Sequence, residues 1–127
     1  MTDNSHYPHN LQLRAEAAAL FFFCLHMYSS FYNDWQLFAL LFFIPDLFIL
    51  FYLLNSKAGA QAYNISHFFA WPALLLSSGF LFDQKLMIQL GIIWASHLAF
   101  DRMLGWGLKF EDSFFNTSMG VKKFPWQ

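Results

Sequence analysis

Ser96-His97-Leu98-Ala99-Phe100-Asp101-Arg102-Met103-Leu104-Gly105-Trp106-Gly107-Leu108-Lys109 closes the last long apolar run of the chain. Within it His97 and Asp101 stand four residues apart, so in a helix they project from one face. An imidazole and a carboxylate on one face can bind a metal ion together. Ionisable groups inside an apolar segment are costly, which makes each a functional candidate. Three earlier apolar runs add groups of the same kind: Glu16, Asp46 directly after Pro45, and His67 in Tyr63-Asn64-Ile65-Ser66-His67. Each also has a plain structural alternative. Glu16 can pair with Arg14, Asp46 can cap a helix restarted after Pro45 or pair with Arg102, and His67 can bond between helices. Asp101 can pair with its neighbour Arg102.

The composition is that of a membrane protein. Hydrophobic residues make up 57% of the 127 and charged ones 12%, against roughly 25% charged in soluble domains. The 18 phenylalanines crowd into runs such as Phe21-Phe22-Phe23, while polar ends and loops hold the mean hydropathy to +0.37. A net charge of −1 gives no footing for nucleic acid. The lone Cys24 forms no internal disulfide. The polar start has no small-residue cleavage site, so no removed signal peptide is expected.

An all-α membrane bundle of four transmembrane helices follows, with residues 1–12 a polar segment, 13–104 the bundle and 105–127 an interfacial tail. The first span runs about Leu13 to Tyr32 and turns at Asn33-Asp34. The second, Gln36 to Leu54, is bent by Pro45. Asn55-Ser56-Lys57-Ala58-Gly59 reads as its end. The third, Ala62 to Phe82, places Tyr63, His67 and Trp71 on one face, with Pro72 as a kink. Asp83-Gln84-Lys85 turns into the fourth, Leu86 to Leu104, which should stop at the glycines around Trp106. Arg14, Lys57, Arg102, Lys109, Lys122 and Lys123 fall on one side and Lys85 on the other. The positive-inside rule then puts both termini in the cytoplasm of a bacterial inner membrane. At a rise of about 1.5 Å per residue, Glu16, Asp46, His67, His97 and Asp101 share the cytoplasmic half, and His26 stands nearly alone in the other. The phenylalanine and tryptophan runs read as packing or lipid-facing surface, Lys122-Lys123 as a topology anchor, and Asn116-Thr117-Ser118 as an unused glycosylation acceptor.

Leu13-Arg14-Ala15-Glu16, Pro45-Asp46-Leu47, Tyr63 to His67, and above all Asp101-Arg102-Met103-Leu104-Gly105-Trp106-Gly107-Leu108-Lys109 together resemble a family of small integral membrane proteins catalogued as domain of unknown function 4260. The tail Phe115-Asn116-Thr117-Ser118-Met119-Gly120 resembles that family's ending, with Ser118 where its pattern has a histidine. No tail ligand is therefore carried over. The resemblance implies a compact helical membrane domain and no established activity. Pro45-Asp46, His67, and His97 with Asp101 are also similar, in order, to membrane-bound metal-dependent hydrolases. The further aspartate of that pattern is replaced by Phe48.

The leading expectation is one or two divalent metals, Zn, Mn or Fe, held by Glu16, Asp46, His67, His97 and Asp101. Tyr63 and Asn64 would orient the ligands or a cofactor, and Arg102 would bind an anionic substrate group. Asp46, Asp101 and Arg102 would then carry hydrolysis of a lipid-like substrate by a metal-activated water. Membrane lipid, other membrane subunits or a second copy are the expected partners. Rival readings are an accessory subunit whose polar groups only lock helices, a small transporter or proton pathway, and haem ligation by His67 and His97.

Overall fold

The computed structural model describes residues 2–3, 10–106, 116–117 and 120–122. Its body is helical: α1 is Asn10–Phe31, α2 is Trp35–Leu41, a 3-10 helix spans Ile44–Leu53, α3 is Ser56–Ser66, α4 is Ala70–Leu81 and α5 is Lys85–Met103. Four arms result, because two of the expected spans are each broken in two.

The turns form where the residue types demand them. Asn33 and Asp83 take the left-handed conformation at φ 55° and 53°, which asparagine and aspartate tolerate best among side-chain-bearing residues. Asp34 caps α2, its carboxylate accepting from the Leu37 N–H at 3.2 Å. The fully buried Tyr28 donates its hydroxyl to the Asp34 carbonyl at 2.7 Å, which clamps α1 to the turn. At the other end α5 stops on Gly105, at φ 93°. The Gly105 N–H bonds the Arg102 carbonyl at 3.0 Å and the Trp106 N–H bonds the Asp101 carbonyl at 2.9 Å. That pair is the Schellman arrangement, which needs glycine at the left-handed position.

The second arm breaks between Leu41 and Ile44. Pro45 lacks the N–H that would reach back to Leu41, and its ring crowds that carbonyl. The chain restarts as a 3-10 helix, with Asp46 in its first turn. The third arm corrects two expectations. Asn55 to Gly59 begin a helix rather than end one: the Asn55 side chain caps α3, accepting from the Ala58 N–H at 2.7 Å. Gly59 lies inside α3 because a Cβ there would run into the Tyr52 ring of the 3-10 helix. The break falls at 67–69, ahead of Pro72, which sits in the first turn of α4 where a missing N–H costs nothing.

α5 is the central strut, buried along most of its length from Ile88 to Ala99. It packs against α1 and α4, while the 3-10 helix packs against α3. α4 and α5 approach closely through glycine: a Cβ on Gly91 would lie 2.6 Å from Leu76 Cγ. Phe38, Phe42, Cys24, Ile88 and Ile92 fill the core between α1, α2 and α5.

The chain ends pair with each other. β1, Thr2–Asp3, lies antiparallel to β3, Gly120–Lys122, which also pairs with β2, Asn116–Thr117. These short strands stand where a polar segment and an interfacial tail were expected. Residues 107–115, 118–119 and 123–127 of the tail, Lys109, Ser118 and Lys123 among them, lie outside the described residues. Among the described residues one helical stretch, Trp35–Leu53, is long and apolar enough to cross a membrane by length and composition, and 11% of it is buried. The other expected spans fall short by this measure. α3 and α4, at 11 and 12 residues, are each below the roughly 20 a crossing needs, and α1 carries Gln12, Arg14 and Glu16.

Candidate metal centre

Both helix breaks deliver a ligand residue to the same point. Asp46 follows the first break, His67 caps the end of α3 at the second, and α5 supplies His97 and Asp101 from adjacent turns. His67 Nε2 lies 3.3 Å from Asp46 Oδ1 and 3.0 Å from Asp101 Oδ2. His97 Nε2 lies 3.1 Å from Asp46 Oδ1 and 3.3 Å from Asp101 Oδ2. The two Nε2 atoms are 3.2 Å apart, and all four ligand atoms lie within 4.8 Å of one another. A tetrahedron with bonds of about 2.0 Å to its centre has edges of about 3.3 Å. Five of the six edges here have that length. The four residues could hold a metal ion.

The hydrogen bonds around His67 assign its tautomer. Nδ1 faces the Tyr63 carbonyl at 2.9 Å, an acceptor only, and Ser66 Oγ at 2.8 Å. Nδ1 therefore donates to the carbonyl, which holds the ring with Nε2 turned toward the cluster. Tyr63 stacks on the His67 ring, 3.7 Å between centroids at 13°, and its hydroxyl reaches Asp101 Oδ2 at 3.5 Å. His97 is held differently. The Phe42 ring packs edge-on at 5.1 Å, and among the described residues its buried Nδ1 has no hydrogen-bond partner.

Breaking α3 frees carbonyl groups, and side chains cover them. Ser66 Oγ reaches the Pro45 carbonyl at 3.1 Å, tying the two breaks together. Trp94 Nε1 donates to the Ser66 carbonyl at 2.7 Å, and Arg102 Nη2 to the His67 carbonyl at 3.1 Å. In an apolar setting such satisfaction is what makes broken helices tolerable.

The expected ligand set is thus brought together in four of its five members. Glu16 is the exception: it lies exposed on α1 and is not in the cluster. Arg14, its expected partner, instead donates Nε to the Met103 carbonyl at 2.9 Å. Arg102 makes no ion pair with Asp46 or Asp101 among the described residues; it holds the His67 carbonyl and lies over the Phe69 ring. Tyr63 is in place beside a ligand, and Asn64 sits half-buried next to it on α3. Trp71 belongs to α4 and leaves the Tyr63–His67 face. His26 is exposed. Sequence reasoning assigned no role to Ser66 or Trp94. Trp94 carries a usable signal, since it stands three residues before His97 and so shares its face.

A helical body with a buried two-histidine, two-aspartate cluster defines the class of this protein. Its family follows from the comparison with family models: the one described as domain of unknown function (DUF4260) matches residues 10–121, most of the chain, and the chain belongs to that family. No curated protein and no solved structure matches it. The similarity to membrane-bound metal-dependent hydrolases rests on short motifs alone.

Proposed function

We propose that this protein is a membrane-embedded metalloprotein holding one divalent ion between Asp46, His67, His97 and Asp101. The observation that carries the reading is the convergence of four potential ligand atoms, five of whose six separations match a tetrahedral edge. With Nδ1 of His67 turned to the Tyr63 carbonyl, its Nε2 faces His97 Nε2 and the two carboxylate oxygens, and a cation at the centre would bond all four. Zinc suits two nitrogens and two oxygens at this spacing best among Zn, Mn and Fe. Haem fits poorly, because the carboxylates crowd the space around the facing imidazoles where a porphyrin would lie.

Exposed apolar surface supports the membrane setting. Phe22, Phe23, Leu40, Leu50, Leu53, Leu54, Phe80 and Leu81 are all more than half exposed, a patchwork that water-soluble monomers rarely carry. The pairing of β1 with β3 supports both termini lying on one side, and the basic residues support that side being the cytoplasm.

When bound, such an ion supplies a water of lowered pKa and a Lewis acid for a carbonyl or phosphoryl oxygen. Hydrolysis of a lipid-like substrate joins that chemistry to this surface. Four protein ligands close a zinc shell, so catalysis requires the shell to expand or a ligand to yield. Asp46 is the group suited to yield: its side chain is 32% exposed against 16% for Asp101. Asp101 and the two histidines would hold the ion.

Elemental analysis of the purified protein tests this. The wild type should carry about one equivalent of metal, and His97→Ala and Asp101→Asn should lose it while keeping their helical circular dichroism. Unchanged metal content in both variants would reject the centre and leave a helix-locking role for these side chains.

A further inference from the structure

We propose that a cavity beside the cluster takes the hydrocarbon chain of an amphiphilic substrate, whose oxygen-bearing head then meets the metal centre; this rests on the metal reading above. The cavity measures about 340 Å³, at the lower end of the roughly 300–1,000 Å³ of small-molecule sites. Ile44, Phe48, Ile65, Trp71, Leu75 and Trp94 line it, and two further wall residues, Pro45 and Ser66, are the immediate neighbours of Asp46 and His67. The four metal-binding side chains do not line the cavity themselves; Pro45 and Ser66 are the chain neighbours through which its wall adjoins the cluster.

The wall's chemistry selects the occupant. Ser66 is its one hydroxyl, and that oxygen is engaged with the Pro45 carbonyl and His67 Nδ1. The Trp94 N–H is engaged with the Ser66 carbonyl. Apart from the Trp71 indole at the exposed mouth, the wall offers no free side-chain partner to a peptide, whose backbone N–H and C=O groups would go unpaired at a cost. An alkyl chain has no such groups. The mouth is formed by exposed side chains, Ile44, Phe48, Ile65 and Trp71, and the first two belong to the stretch fit to cross a membrane. Entry from a hydrocarbon phase is therefore continuous with the cavity, and an acyl chain is the occupant that such a phase supplies.

Quenching of Trp71 and Trp94, the two tryptophans of the wall, by a bromine-tagged dodecanoic acid tests the proposal. The zinc-loaded full chain, with these two retained and the other tryptophans changed to Phe, is placed in lipid nanodiscs. The acid should quench them saturably. Leu75→Phe, which fills the cavity, should abolish saturation, and so should Ile65→Phe at the exposed mouth, where misfolding is no concern. Removing zinc, or Asp46→Asn, should raise the half-saturating concentration several-fold, because the carboxylate head loses its anchor. Zinc retained with only linear, unsaturable quenching would overturn the chain site and leave the metal centre standing. Saturable quenching indifferent to zinc and to Asp46→Asn would overturn the link between chain and centre.

Discussion

Ser66 makes the cluster depend on a residue that is not a ligand. Its hydroxyl touches the proton-bearing nitrogen of His67 and the carbonyl of Pro45, so one side chain aligns a ligand ring and fixes the break that presents Asp46. Outer partners of this kind are worth roughly ten- to hundredfold in metal affinity. Ser66→Ala should weaken zinc binding by that factor in competition with a chromophoric chelator. Ser96→Ala is the control, since among the described residues that equally buried hydroxyl bonds only the Ile93 carbonyl of its own helix, at 2.7 Å. Equal affinities in the two variants would show that the His67 network does not tune the site. Arg102 belongs with Ser66 rather than with the ligands. In Asp101-Arg102-Met103-Leu104-Gly105 the aspartate joins the cluster, the arginine covers the His67 carbonyl and the glycine stops the helix. The motif was legible as chemistry at Asp101 and as a helix end at Gly105. The role of Arg102 was not, because its partner is a main-chain oxygen that only the break in another helix exposes.

At the scale of elements, the site is made by two interruptions. The extent of α1 and α5 and the turns at Asn33 and Asp83 could be read directly, since apolar length and turn residues mark them. The interruptions could not be placed from composition. Pro45 announced a bend, yet nothing in the apolar run Leu47 to Leu54 distinguishes a 3-10 helix from an α-helix. Pro72 pointed to a kink six residues beyond the actual end of α3, because a proline marks a helix start as well as a bend. Asn55 and Gly59 read as a helix end because the close approach of Tyr52 is a tertiary fact. Glycine likewise sets the distance between α4 and α5. Gly91→Val places a branched side chain against Leu76 and should cost about 1–3 kcal/mol of stability by overpacking, read by denaturant unfolding in detergent. A variant as stable as the wild type would show that the two helices move apart freely.

Among the described residues, a few polar groups lie inside an apolar core while many large apolar side chains face outward. His67, His97, Ser66 and Ser96 are interior while Phe22, Phe80 and Leu53 face outward. The depth argument drawn from sequence brought Asp46, His67, His97 and Asp101 together correctly, because residues at matched distances from helix ends meet when the arms run antiparallel. It failed for Glu16, because depth says nothing about which way a side chain faces around its helix. X-ray absorption at the metal edge of the zinc-loaded protein tests the centre most directly. Two histidine nitrogens and two carboxylate oxygens at about 2.0–2.2 Å are predicted. A shell of six light oxygens without imidazole scattering, or a sulfur ligand from Cys24, would contradict it.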